Sequence, residues 1–113
     1  MNNEQYKRYR KMEHDKLSCL FKAKDKSGNL HFLILGSTDT KYKVSIYMKD
    51  RKIRCSCPDF KNNSSSRDCV CKHCLHVLYK VLKLFKNADH SFFEKFIFNE
   101  NEIAKIMHVC KIS

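Results

Sequence analysis

The chain has 113 residues, 42% of them hydrophobic and 12% aromatic, enough for one domain with a modest core and too apolar for a disordered chain. It carries 23 Lys and Arg against 12 Asp and Glu, a formal charge of +11, and residues 20–86 alone hold 15 basic and five acidic side chains; such an excess makes a polyanion the first partner to consider. No run of about 18 apolar residues occurs and the N-terminal MNNEQYKRYRKMEHD is polar, so neither a membrane helix nor a secretory signal is expected.

Residues 1–16 read as a charged N-terminal arm or frayed helix ahead of a domain spanning 17–113. LSCLFKAKDKSGNLHFLILG predicts two strands around a turn at Asp25–Asn29, where Gly28 supplies a permissive backbone. KYKVSIYMKDRKIRCSC predicts two more: Tyr42, Val44, Ile46 and Met48 alternate with polar neighbours, Asp50–Arg51 makes a tight turn, and Ile53 leads into Cys55. From Lys72 to Lys86 the pattern changes to a helical period. Cys74, Leu75, Leu78, Val81, Leu82 and Phe85 share one face; Lys72, His76, Tyr79, Lys80, Lys83 and Lys86 share the other. Ser91 with Glu94 and Asn99 with Glu102 have capping-box spacing, so SFFEKFIF and NEIAKIMHVC are predicted as short helices. The expected class is α+β: a small antiparallel β-meander followed by an amphipathic helix around one structural zinc site, with short C-terminal helices.

That site is expected from cysteine usage. RCSCPDF (54–60) and RDCVCKHCLH (67–76) bring five cysteines and two histidines together, and in an intracellular chain, where thiols stay reduced, such a cluster means metal before disulfides. Helical phase puts Cys74 at the centre of the apolar face, where a free thiol behaves as a small hydrophobe. It puts His76 in the lysine stripe, facing solvent or a partner. Cys71, just before the helix, and His73, on its first turn, are left to clamp a metal against the strand end. Cys55 and Cys57 complete the set if the chain curls at Ser56, and Pro58 suits a strand that stops there. Cys69 competes with Cys71 as the third thiolate. Three thiolates and an imidazole make a closed Zn2+ site without an open position.

C-x-C, a variable loop, and C-x-H opening a helix resemble the SWIM zinc finger: CSCPDF at 55–60 and CKHCLHVLYKVLK at 71–83. The approach strands and NENEIAKIM also look like the SWIM domains of MEX-type E3 ubiquitin ligases and of a mitogen-activated kinase kinase kinase, over roughly residues 28–108. The resemblance implies Cys55, Cys57, Cys71 and His73 as zinc ligands and leaves Cys69 spare. It implies DNA or protein binding as the role, in a finger that stands alone or belongs to a larger assembly. A lysine- and asparagine-rich module of this kind would fit a giant DNA virus, acting in cytoplasm or nucleus.

The charge pattern points to sequence-tolerant nucleic-acid binding. Lys72, Lys80, Lys83 and Lys86 line one helix face, and Lys41, Lys43, Lys49, Arg51, Lys52 and Arg54 lie on the strands leading to the metal. Tyr42, Tyr47 and Tyr79 are interleaved and available for stacking on bases. The alternative is a protein-interaction adaptor, for which the Phe-rich SFFEKFIF would supply an apolar patch. Neither a membrane nor a small-molecule substrate is expected. Catalysis is not expected either: no carboxylate pair or phosphate-cradling loop is present, and Cys74 and His76 point to opposite helix faces.

Overall fold

A computed structural model describes residues 3–36, 38–61, 70–84 and 98–109. Strand β2 (Leu30–Leu35) shows most plainly how the sheet is specified. Its side chains are alternately buried and half-exposed, with Leu30, Phe32 and Ile34 inward, as period-two geometry requires. It lies between β1 (Ser18–Lys24) and β3 (Lys41–Tyr47), and β4 (Lys52–Cys55) follows β3 in an all-antiparallel order β1-β2-β3-β4. Around the first turn, Asp25 Oδ1 accepts hydrogen bonds from the backbone N–H groups of Ser27 and Asn29, and Gly28 takes φ 86°. At the β3–β4 turn the left-handed residue is Arg51, with φ 56°.

Register fixes two faces, because directly paired residues point to the same side. On the inner face Phe32 pairs Val44 and Val44 pairs Cys55, while Leu30 pairs Ile46 and Ile46 pairs Ile53; all six are buried. Each large aliphatic or aromatic side chain buried this fully contributes about 1.5–3 kcal/mol. The outer face carries Phe21, Leu33 and Lys43 in one cross-strand row, and Ala23, His31, Ser45 and Arg54 in the next.

Helix α1 (Asn3–His14) is docked on the domain: Gln5, Arg8 and Met12, on one helical face, are buried. Helix α2 (Lys72–His76) runs directly into a wide π turn at Val77–Val81, and Lys83 then takes φ 54°. This corrects the expected amphipathic helix over 72–86. His73, Cys74, Leu75, Val77, Leu78 and Tyr79 are all buried, so the polar side of the segment narrows to Lys72, His76 and Lys80. Two causes are visible. The Leu82 N–H donates to the Val77 carbonyl five residues back, which departs from 100° per residue and shifts every later side chain. In addition α1 packs over the face predicted to be polar, setting Tyr9 edge-on to Tyr79 with ring centroids 5.1 Å apart. Phe85 and Lys86 lie outside the described residues.

Helix α3 (Glu100–Val109) opens with a reciprocal capping box. The Glu102 N–H donates to Asn99 Oδ1 and the Asn99 N–H to Glu102 Oε1, both at 2.8 Å. The helix is anchored ahead of the box, where the Phe98 N–H donates to the Arg51 carbonyl at 2.7 Å and the Phe98 ring is fully buried. The helix expected over SFFEKFIF lies, apart from Phe98, outside the described residues. Among the described residues no helix is long and apolar enough to cross a membrane.

Candidate metal centre

Cys55 ends β4 on the inner face, paired with Val44. The chain then turns through Ser56, which holds Lys43 at both ends: the Ser56 N–H donates to the Lys43 carbonyl, and the Lys43 N–H donates to Ser56 Oγ, each at 3.0 Å. Cys57 opens a helical turn in which the Phe60 N–H donates to Cys57 Sγ at 3.4 Å and the Lys61 N–H to the Cys57 carbonyl at 3.2 Å. From the other side, Cys71 sits in extended geometry at the cap of α2, and its carbonyl accepts the first helical hydrogen bond from Leu75. His73 follows on the first turn.

These elements bring together Cys55, Cys57, Cys71 and His73, all buried, with their ligand atoms within 4.8 Å of one another. A four-coordinate ion with arms of about 2.0–2.3 Å needs donors about 3.5–3.8 Å apart, so the group is close to that geometry. The test of fit is His73. Its ring is 4% exposed and neither nitrogen has a hydrogen-bond partner, a state that costs about 1–3 kcal/mol for each unsatisfied group. Coordination would satisfy one of the two. The imidazole is backed by Tyr42, with ring centroids 4.7 Å apart. Gly36 lets the β2–β3 turn come close: a Cβ there would lie 3.2 Å from the Thr40 carbonyl oxygen and 3.7 Å from His73 Nε2.

The thiols divide unequally. Cys55 is held far below the usual thiol range by hydrogen bonds from Cys57, Cys71 and Cys74. Cys57, which donates to Cys55, is pushed up to about 11. Burial raises Cys71. Three thiolates packed this closely would call for a cation, whose binding must release protons.

Cys74 is fully buried as the helical phase expects, and its Sγ lies 3.7 Å from that of Cys71; it stands against the group of four and outside it. His76, expected in an exposed stripe, is half-buried, and burial lowers its pKa. Cys69 lies outside the described residues. Two residues that sequence reasoning passed over frame the centre. The Gln5 carboxamide accepts from the Val70 N–H at 2.7 Å and donates to the Val70 carbonyl at 2.8 Å, fixing the backbone beside Cys71. Arg8 makes a two-pronged ion pair with Asp59, two residues past Cys57, with both contacts at 2.7 Å. Residues 5, 8 and 12 share a helical face, but Gln and Arg there do not read as core.

The expected basic helix face is largely neutralised. Lys72 pairs with Asp15 at 2.6 Å, which lowers the Asp15 pKa, and Lys80 pairs with Glu13 at 3.2 Å. Lys83 is exposed past the helix end, and Arg51 is exposed at the β3–β4 turn. Lys52 and Arg54 are exposed on the outer sheet face, joined there by Lys41 and Lys43. Tyr79 is buried and Tyr42 is turned onto His73, leaving Tyr47, half-buried and paired with Lys52, on the outer face. Comparison with protein-family models, curated proteins and solved structures finds no match to this chain.

Proposed function

We propose that the chain is a zinc-stapled module that binds nucleic acid, largely regardless of sequence, through the outer face of its sheet. The observation that carries this reading is that Lys41, Lys43, Lys52 and Arg54 are exposed together on that face, and none of its paired strand positions holds a carboxylate. Zinc is the ion that suits three thiolates and one imidazole. Four protein donors leave no position for a reacting water, which supports a structural role over a catalytic one. The ligand set is also the one implied by the SWIM resemblance.

The basic surface differs from the one the sequence suggests. Lys72 and Lys80 have carboxylate partners just past and within the last turn of α1, so the basic residues of β3 and β4 take the leading part. Lysines act as point charges on phosphates and carry little base discrimination.

Fluorescence anisotropy with a labelled oligonucleotide across a salt series tests the reading. Each phosphate contact contributes about 0.7–0.9 to the slope of log affinity against log salt. Replacing Lys41, Lys43 and Arg54 with Glu should therefore flatten the slope by about two or more and leave zinc content unchanged. No binding at about 0.1 M salt, where the Debye length is about 10 Å, would defeat the reading. A protein-docking role, to which exposed Leu20 and Phe21 on the edge strand β1 lend support, would then lead.

A further inference from the structure

We infer that the sheet's outer face is built for single-stranded nucleic acid, an inference that rests on the nucleic-acid reading above and names its substrate class. Cross-strand pairing divides the face into two halves. The β1–β2 half presents Phe21 beside Leu33, with Leu35 in the next row; the β3–β4 half presents Lys41, Lys43, Lys52 and Arg54. Lys43 sits in the same row as Phe21 and Leu33, two strand spacings from Phe21, or about 10 Å. A flexible lysine arm spans much of that distance. An apolar half beside a cationic half matches a chain that carries its bases on one side and its phosphates on the other.

Phe21 is the most telling residue. It is 62% exposed, Leu20 beside it is 48% exposed, and both stand outside the buried core. The pairing of β1 with β2 shifts register between Cys19 and Phe21, an irregularity of the kind that re-aims a side chain. A large ring held in water on a basic face has a use in stacking on an unpaired base, and every base offers a π-face. On the same face His31 is held between Ser45 Oγ at 2.8 Å and Asp25 Oδ2 at 3.0 Å, so its ring is fixed next to Leu33.

A duplex fits this surface poorly. Its bases are stacked inside, and reading or stacking on them requires an element that enters a groove; the major groove is about 12 Å wide and admits a helix or a two-stranded ribbon. Four strands spaced about 4.8 Å apart form a wider, flatter slab. Against a duplex such a slab meets phosphates alone, and Phe21 is left without a partner. The cations serve both substrates; the ring serves only the single strand.

The chain contains no tryptophan, so Phe21→Trp places a lone indole, excited selectively over the tyrosines, at the stacking position. The zinc-loaded full chain is titrated with a single-stranded oligo-dT, with oligo-U, and with a duplex of equal length. Binding of either single strand at least about tenfold tighter than of duplex, with quenching of the introduced indole's emission by the single strand alone, is expected. Phe21→Ala, at an exposed site, should lower single-strand affinity about tenfold and leave duplex affinity and zinc content unchanged. Equal or tighter duplex binding, or binding without quenching, would overturn the inference and leave the nucleic-acid reading standing. Polyglutamate competing as well as the oligonucleotide would also overturn it. No binding to any of the nucleic acids would sink both.

Discussion

At the scale of single residues, the metal centre makes the sharpest demands. Cys55, Cys57 and Cys71 each offer a sulfur donor from a buried position, and a serine in their place offers a weaker, harder donor. Cys55→Ser, Cys57→Ser and Cys71→Ser should each lose stoichiometric zinc and melt well below the wild type, read by metal analysis and thermal unfolding. Cys74→Ser is the control. It buries a hydroxyl where a thiol stood, at a cost of about 1–3 kcal/mol, yet zinc should stay at one per chain. If Cys74→Ser loses the metal while Cys71→Ser keeps it, the assignment of Cys71 fails. His76 is half-buried and outside the group of four, so His76→Ala should keep the zinc and destabilise by about 1 kcal/mol or less.

At the scale of elements, α1 is the brace of the site. It grips the backbone just ahead of Cys71 through Gln5, and the turn after Cys57 through Arg8. Gln5→Ala strands the buried N–H and carbonyl of Val70 at about 1–3 kcal/mol for each group. Zinc release to a competing chelator should then be faster, even though neither residue is a ligand. Gln5→Glu keeps the acceptor for the Val70 N–H and loses the donor to its carbonyl, so it should be intermediate. Unchanged release rates in both variants would refute the brace.

The residue that follows this helix also supplies a pH dependence. The Asp15 pKa is lowered by its hydrogen bond from Lys72. A depressed carboxylate contributes stability that is fully present above its unfolded value, about 3.9, and is lost as pH falls through the folded value. Asp15→Asn should remove that contribution, so the stability difference between variant and wild type should shrink as pH drops below about 4. A difference that stays constant through that range would refute the pairing.

At the scale of the whole molecule, the inner sheet face, α2 and the buried Cys/His group meet, and the proposed zinc would join them into one unit. A chain of this size buries a limited core, and zinc affinity is folding free energy when the ligands come from separate elements. Here they come from the end of β4 and the start of α2. Removing zinc with a chelator at neutral pH should lower the melting temperature by tens of degrees or abolish the cooperative transition. Zinc readdition under reducing conditions should restore it. An apo chain that melts at the holo temperature would show that the metal is incidental to the fold.

Much of this was legible in the residues, and the reason is locality. Four strands and their turns follow from period-two alternation and from Asp25 and Gly28 at the first bend; α3 follows from Asn99 and Glu102 three positions apart. The metal group follows from pairs close in sequence, Cys55 with Cys57 and Cys71 with His73. The sequence could not reveal what meets α2 on its second side. Gln5 and Val70 are 65 positions apart, Arg8 and Asp59 51, Lys72 and Asp15 57. Those contacts dock α1, which sets Tyr9 against the buried Tyr79 and brings Asp15 and Glu13 to Lys72 and Lys80, so the basic surface passes from the helix to the sheet. Periodicity reports which side of an element is apolar. Only tertiary packing decides whether the polar side faces water or another helix, because a carboxylate from a distant segment can cancel a lysine as fully as solvent can hydrate it.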